Sequence, residues 1–182
     1  FSKIIEDVIN GELLTKFDLF LNIRIVLLQN PLLNKIMTLI TIIGSPIFLF
    51  ILSLILFGIL AYQKKWYHSL LLLMGMVGGV LLELLAKAII HRARPENALI
   101  LVSGYSLPSG HATMALIFFS LVFYSFKDDI NRKSFKTIFI LSNLFLILII
   151  GLSRVYLNVH WFSDVLAGFC LGLFWVTFLI LI

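Results

Sequence analysis

Charge is what this sequence has least of. Only 13% of its 182 residues are Asp, Glu, Lys or Arg, about half of what a soluble globular domain carries. A soluble domain of this length has too much surface to cover with so few charges. Cysteine is nearly absent as well. Cys170 stands alone in an apolar run, so no intramolecular disulfide can form. With four prolines and neither a repeat nor a low-complexity segment, the chain is neither collagen-like nor disordered. Its first ten residues carry Glu6 and Asp7 and lack a basic n-region and a small-residue cleavage site, so they do not read as a signal peptide. The formal net charge of +5 hints at nucleic acid in a soluble protein, but here loop cations that set topology and touch anionic lipid come first. No nucleic-acid partner is expected.

What the sequence does have is long apolar runs. A bilayer core of about 30 Å takes roughly 20 helical residues. Five stretches qualify or nearly do: about 36–62, 68–90, 109–126, 137–153 and 162–182. The expected fold is all-α, a polytopic transmembrane helical bundle forming one domain over 1–182. Gly44-Ser45-Pro46 is expected to kink or delay the first span, and Gly75, Gly78 and Gly79 to let another helix come close in the second. Residues 1–34 differ. Phe1, Ile4, Ile5, Val8 and Ile9 recur at helical spacing, which predicts an amphipathic helix lying in the interface or capping the bundle. The run Phe17 to Gln29 is broken by Asp18, Asn22 and Arg24 and stopped by Pro31, so it is not counted as a span.

Lys64, Lys65, Lys127, Arg132, Lys133 and Lys136 fall in two loops on one side, which predicts that side to be cytoplasmic. The opposite loops, His91 to Pro108 and Arg154 to Trp161, also hold arginines: Arg92, Arg94 and Arg154. If these are functional, they are not topological votes.

Polar groups near membrane spans are costly, so each invites a functional reading. Three places hold them. Lys87 and Arg94 are two helical turns apart, and Pro95 ends the element. They either share one face or simply complement a helix C-terminus and snorkel to the headgroups. Pro108-Ser109-Gly110-His111 precedes the third span. Ser109 is a good N-cap, Gly110 lets an oxyanion approach the backbone, and free amides at a helix start attract anions. A plain capped helix explains Ser109 but not His111. Ser153-Arg154 is followed by His160 and Asp164, four residues apart and therefore neighbours on a helix. A carboxylate beside an imidazole fixes its tautomer, and it also serves as an ordinary structural pair. All three places end on one membrane face. Three cations and a helix N-terminus suit a phosphate. With Asp164 as the only acid in the three motifs, a metal site is not expected.

Together these residues resemble the three-part signature of the type 2 phosphatidic acid phosphatase family: Lys87 with Arg94-Pro95, then Pro108-Ser109-Gly110-His111, then Ser153-Arg154 with His160 and Asp164. At roughly one in 20 per position, eleven matches in order are not coincidence. The resemblance implies hydrolysis of a lipid phosphate through a phosphohistidine, without metal or other cofactor. It implies His160 as nucleophile, Asp164 as its orienting partner and His111 as general acid. It also implies Lys87, Arg94 and Arg154 as the phosphate clamp, helped by Ser109 and Gly110. Glu83, one turn before Lys87, is expected either to hold that lysine or to face a polar gap, and Ser153 is a further supporting candidate.

Candidate substrates are phosphatidic acid, phosphatidylglycerophosphate, undecaprenyl pyrophosphate and lipid A phosphates. Hydrolysis would occur at the outer face of a cell membrane, with Glu96, Asn97, Ser103, Tyr105 and Ser106 placed to read a headgroup. A lipid-to-lipid phosphotransferase fits the same residues, and a non-catalytic lipid-phosphate binder or transporter is the remaining alternative. Membrane members of the family typically have six spans, so the start at Phe1 leads to the expectation of a further helix upstream.

Overall fold

A computed structural model describes residues 2–182, and Phe1 of the amphipathic pattern lies outside them. Eight helices follow in order: α1 (Ser2–Asn10), α2 (Leu13–Leu28), α3 (Pro31–Ile43), α4 (Pro46–Tyr62), α5 (Trp66–Ile90), α6 (Gly110–Phe126), α7 (Lys133–Tyr156) and α8 (Phe162–Leu181). The fold is all-α, as expected.

Local chemistry sets the boundaries. Pro31 and Pro46 open α3 and α4 at positions where a missing N–H costs nothing. Asn30 and Ser45 cap them, accepting from the amides of Leu33 (3.0 Å) and Phe48 (3.2 Å). The Gly44-Ser45-Pro46 break bends α3 against α4 by 44°. Gly44 also lets α7 come close, since a Cβ there would overlap Ile150. Likewise Gly75 and Gly79 of α5 leave room for Ile117 and Leu121 of α6.

The five expected spans resolve differently. Helices α5, α7 and α8 are each long and apolar enough to cross a bilayer, and the bent pair α3–α4 makes up to four. The stretch 109–126 gives a shorter apolar helix of 17 residues, which at 1.5 Å per residue falls a little short of a bilayer core. That helix, α6, is the centre of the bundle: Met114, Ala115, Ile117 and Leu121 are at most 1% exposed among Leu72, Met76 and Ile150. Outward faces are apolar instead, with Ile47, Ile51 and Ile55 of α4 and Phe145 and Leu148 of α7 exposed. Such a surface suits lipid and not water. α1 is amphipathic, with Ile4, Ile5 and Val8 half-buried and Lys3 and Glu6 exposed.

Helices α5 and α7 end, and α6 and α8 begin, at one end of the bundle. All three motifs therefore gather there. The loops with Lys65 and Lys127–Arg132 meet at the other end, where Lys65 pairs with Asp129.

Candidate active site

The turn from α7 into α8 carries the histidine–carboxylate pair. Asn158 takes a left-handed conformation (φ 53°), and the amides of Val159 and His160 return to the Arg154 carbonyl. This folds the chain tightly and turns His160 inward, 3% exposed. Asp164 is fully buried in the first turn of α8, where its Oδ2 accepts from the Trp161 amide (2.9 Å) and faces His160 Nδ1 at 3.4 Å. A carboxylate there also suits the helix dipole. The other ring nitrogen, Nε2, lies 3.1 Å from Arg94 Nη1. A guanidinium can only donate, so this arrangement favours the tautomer with its proton on Nδ1 and a lone pair on Nε2. Burial pushes the His160 pKa down to about 4, against the opposing pull of Asp164, so the ring is neutral at pH 7.

Arg94 is locked by backbone carbonyls. Its Nε donates to Gly104 (2.9 Å), Nη1 to Val159 (2.7 Å) and Nη2 to Ser103 (3.3 Å) and Tyr105 (3.1 Å). Burial lowers its pKa, opposed by Asp164 and Glu83. The loop around it is itself fastened, since Ser106 bonds the carbonyls of Arg92 and Ala93. Ser103 and Tyr105 meet Arg94 through their backbone carbonyls and are themselves exposed, whereas the buried Ser106 side chain serves the loop.

Arg154 is 2% exposed, donates through Nη1 to the Thr41 hydroxyl and has a buried Nε with no partner. His111 faces the same space, with the charges of Arg154 and Lys87 and the His160 ring nearby and the Thr41 carbonyl beside its own ring. Lys87 Nζ donates to Glu83 Oε1 at 2.6 Å, and the Glu83 carboxylate packs so closely on Gly110 that a Cβ there would overlap it.

Ser109 departs from expectation. It stands at the N-cap of α6 but its side chain makes no capping bond. Its amide donates to the Asp164 carbonyl (2.9 Å), which ties α6 to α8 and points the buried, unpartnered hydroxyl elsewhere. Ser153 donates to Ile150 within its own helix (2.6 Å). Among the described residues, no three His, Cys, Asp or Glu side chains gather to hold a metal.

Three further side chains stand at the site; Thr41 and Asp18 carry no functional signal in the sequence, and Arg92 is marked there only as a loop arginine. Thr41 comes from the bend of α3. Asp18 and Arg92 bond one another at 2.7 Å, and Arg92 also reaches Asp164 at 2.6 Å. An apolar groove of about 710 Å³ lies apart from these groups, between α2, α7 and α8, lined by residues such as Ile25, Leu152, Phe162 and Val165.

A bundle end that collects two histidines, a carboxylate and several buried cations defines a class of membrane phosphate-handling proteins, and comparison places the chain within it. Residues 47–182 match the PAP2 superfamily, and the chain belongs to that family of membrane-bound lipid phosphatases. It is 38% identical over 152 residues to phosphatidylglycerophosphatase B of Bacillus subtilis, covering 81% of this chain and 74% of that one. It is similar to the crystal structure of the transmembrane PAP2-type phosphatidylglycerolphosphate phosphatase from Bacillus subtilis, with a TM-score of 0.85, 32% identity and coverage of 91% and 84% of the two chains. The fold is also that of Aquifex aeolicus LpxE, with a TM-score of 0.71 at 24% identity over 90% of this chain and 94% of that one.

Proposed function

We propose that this membrane lipid phosphatase hydrolyses the terminal phosphate ester of phosphatidylglycerophosphate or a closely related lipid, through a phosphohistidine on His160 and without a metal ion. The observation that carries the reading is the orientation of the His160 ring: Nδ1 faces a fully buried carboxylate and Nε2 faces an arginine. The Nε2 lone pair attacks phosphorus in line with the leaving oxygen, the P–O bond breaks, and His111 donates a proton to the departing alcohol. Water then attacks the phosphohistidine, His111 takes its proton, the P–N bond breaks and phosphate leaves. Arg94, Arg154 and Lys87 hold the phosphoryl oxygens, with Ser109 and Gly110 contributing at the start of α6. The unpartnered Arg154 Nε and Ser109 hydroxyl support this, since buried donors without partners are ready for a ligand's oxygens. The relatives' named activity supports the substrate.

The whole chain works as one domain, with α6 as a fifth crossing at the centre of the bundle and residues 1–34 as an interfacial segment. The six cations of the opposite loops face the cytoplasm, which puts the site at the outer face of the cell membrane.

The test is phosphate release from phosphatidylglycerophosphate in detergent with chelator present, followed by alkaline quench to trap the phosphohistidine. The protein is expected to turn over and to carry label on His160. His160→Ala is expected to lose at least about 10⁴-fold in kcat. Strict dependence on added metal, or turnover by His160→Ala, overturns the mechanism.

A further inference from the structure

Asp18 belongs to α2, a helix outside every motif, yet it is only 2% exposed. An ionised carboxylate is buried only where charge and hydrogen bonds compensate it. Its Oδ1 accepts from the Ser163 amide (2.9 Å), and its Oδ2 accepts from Arg92 Nη2 (2.7 Å) and from the Ser163 hydroxyl. Arg92 Nη1 in turn reaches Ser163 Oγ and Asp164 Oδ1, both at 2.6 Å. Asp18, Arg92 and Ser163 thus form a closed ring in which each bonds the other two, and Asp164 hangs from the arginine corner. The Arg92 guanidinium also lies 5.5 Å from the Trp161 ring centroid.

The rest of α2 follows the same line. Asn22 and Gln29 share one helix face with Asp18. Asn22 donates to Asn158 (3.2 Å) and Asn97 (3.3 Å), and Gln29 to the Tyr156 carbonyl (3.0 Å). The helix is strapped along the turn that carries His160.

The consequence falls on Asp164. Arg92 holds its Oδ1 and the Trp161 amide holds its Oδ2, so the plane of the carboxylate is fixed where Oδ2 meets His160 Nδ1. Resting on the phosphohistidine reading above, we propose that Asp18 and Arg92 are positioning residues for the reaction, fixing the Asp164 carboxylate against His160 and making α2 a working part of the site. Asp18 further shares the arginine's charge, so that Asp164 keeps its negative potential toward the imidazole.

The charged groups around His160 are Asp164 of α8, Arg154 of α7 and Arg94 of the loop. Arg92 and Asp18 stand behind Asp164, and His111 of α6 and Lys87 and Glu83 of α5 lie across the site. Neutralising Asp18 leaves Arg92 uncompensated and lowers the His160 pKa. Removing the Arg92 charge leaves two carboxylates and raises it.

The experiment measures kcat, KM and pH profiles of the full chain in detergent with phosphatidylglycerophosphate. Asp18→Asn and Arg92→Lys are expected to lower kcat about 10- to 100-fold, with KM within about 2-fold of the parent and partial recovery in Asp18→Glu. The acid limb of kcat/KM, set near pH 4 by His160, is read after the phosphate's own second ionisation near 6 is divided out. It is expected to move to lower pH in Asp18→Asn and to higher pH in Arg92→Gln.

Unchanged kcat in Asp18→Asn overturns the proposal. So does a loss that only tracks the folded fraction while the acid limb stays still, because Asp18 is then a structural tether. Should Asp18→Asn not fold, Arg92→Lys keeps the charge but loses the fork that meets Asp18, Ser163 and Asp164 together; unchanged kcat there overturns the proposal equally. His160→Ala is run alongside. If it stays active, the phosphohistidine reading fails; if it is inactive while Asp18→Asn matches the parent, only the present inference fails.

Discussion

The two ends of the bundle both carry cations, and they use them in opposite ways. At the end with Lys64, Lys65, Lys127, Arg132, Lys133 and Lys136, three of the six are exposed and none is buried. The Lys65 side chain is 26% exposed and its partner Asp129 51%. At the other end, Arg92 is 10% exposed, Arg154 is 2% exposed, and Arg94 is bonded through all three of its nitrogens. A surface cation is solvated and replaceable. A buried one is held in one place by specific acceptors, which offset part of the cost of taking its charge out of water. The contrast separates cations that vote on topology from cations organised for chemistry.

Three substitutions probe that contrast. Arg94→Lys keeps the charge but loses the planar fork that meets four carbonyls and His160 at once. A fall in kcat/KM of about 100-fold is expected, and a fall under about 10-fold would mean that charge alone suffices. Glu83→Gln leaves Lys87 without its ionic partner. A loss of roughly 10-fold in kcat/KM is expected, in line with a hydrogen bond to a charged group, and parental turnover and affinity would return Glu83 to a polar filler. Lys65→Ala, at the opposite end, should change turnover by less than about 2-fold and stability by about 0–1 kcal/mol, checked by thermal unfolding. If Lys65→Ala cost as much as Arg94→Lys, the two ends would not differ as their burial implies.

Legibility in the sequence followed the distance along the chain. Glu83 and Lys87 are one helical turn apart, and their pairing follows from local geometry; so does the meeting of His160 with Asp164. Asp18 and Ser163 are 145 residues apart, and nothing local links them. In sequence, Asp18 reads as a polar break in an apolar run. Its meaning depends on α2 being laid over the α7–α8 turn. Ser109 illustrates the reverse error. Its residue type is right for a cap, but its amide is tied to the Asp164 carbonyl and its buried hydroxyl takes no partner within the fold.

Composition alone determined that this chain is a helical membrane protein, and the resemblance of three short motifs to a family signature marked which eleven residues belong together. Apolar run length fixes the first, because lipid allows backbone groups no partners but their own helix. The resemblance marks the second, and it is legible because each motif's residues lie close in sequence. Only the tertiary structure decided how those helix ends meet, which nitrogen of His160 faces an arginine, and that Asp18 and Arg92 stand behind Asp164. These depend on contacts between helices far apart in sequence, where burial turns an ordinary polar residue into an obligatory partner.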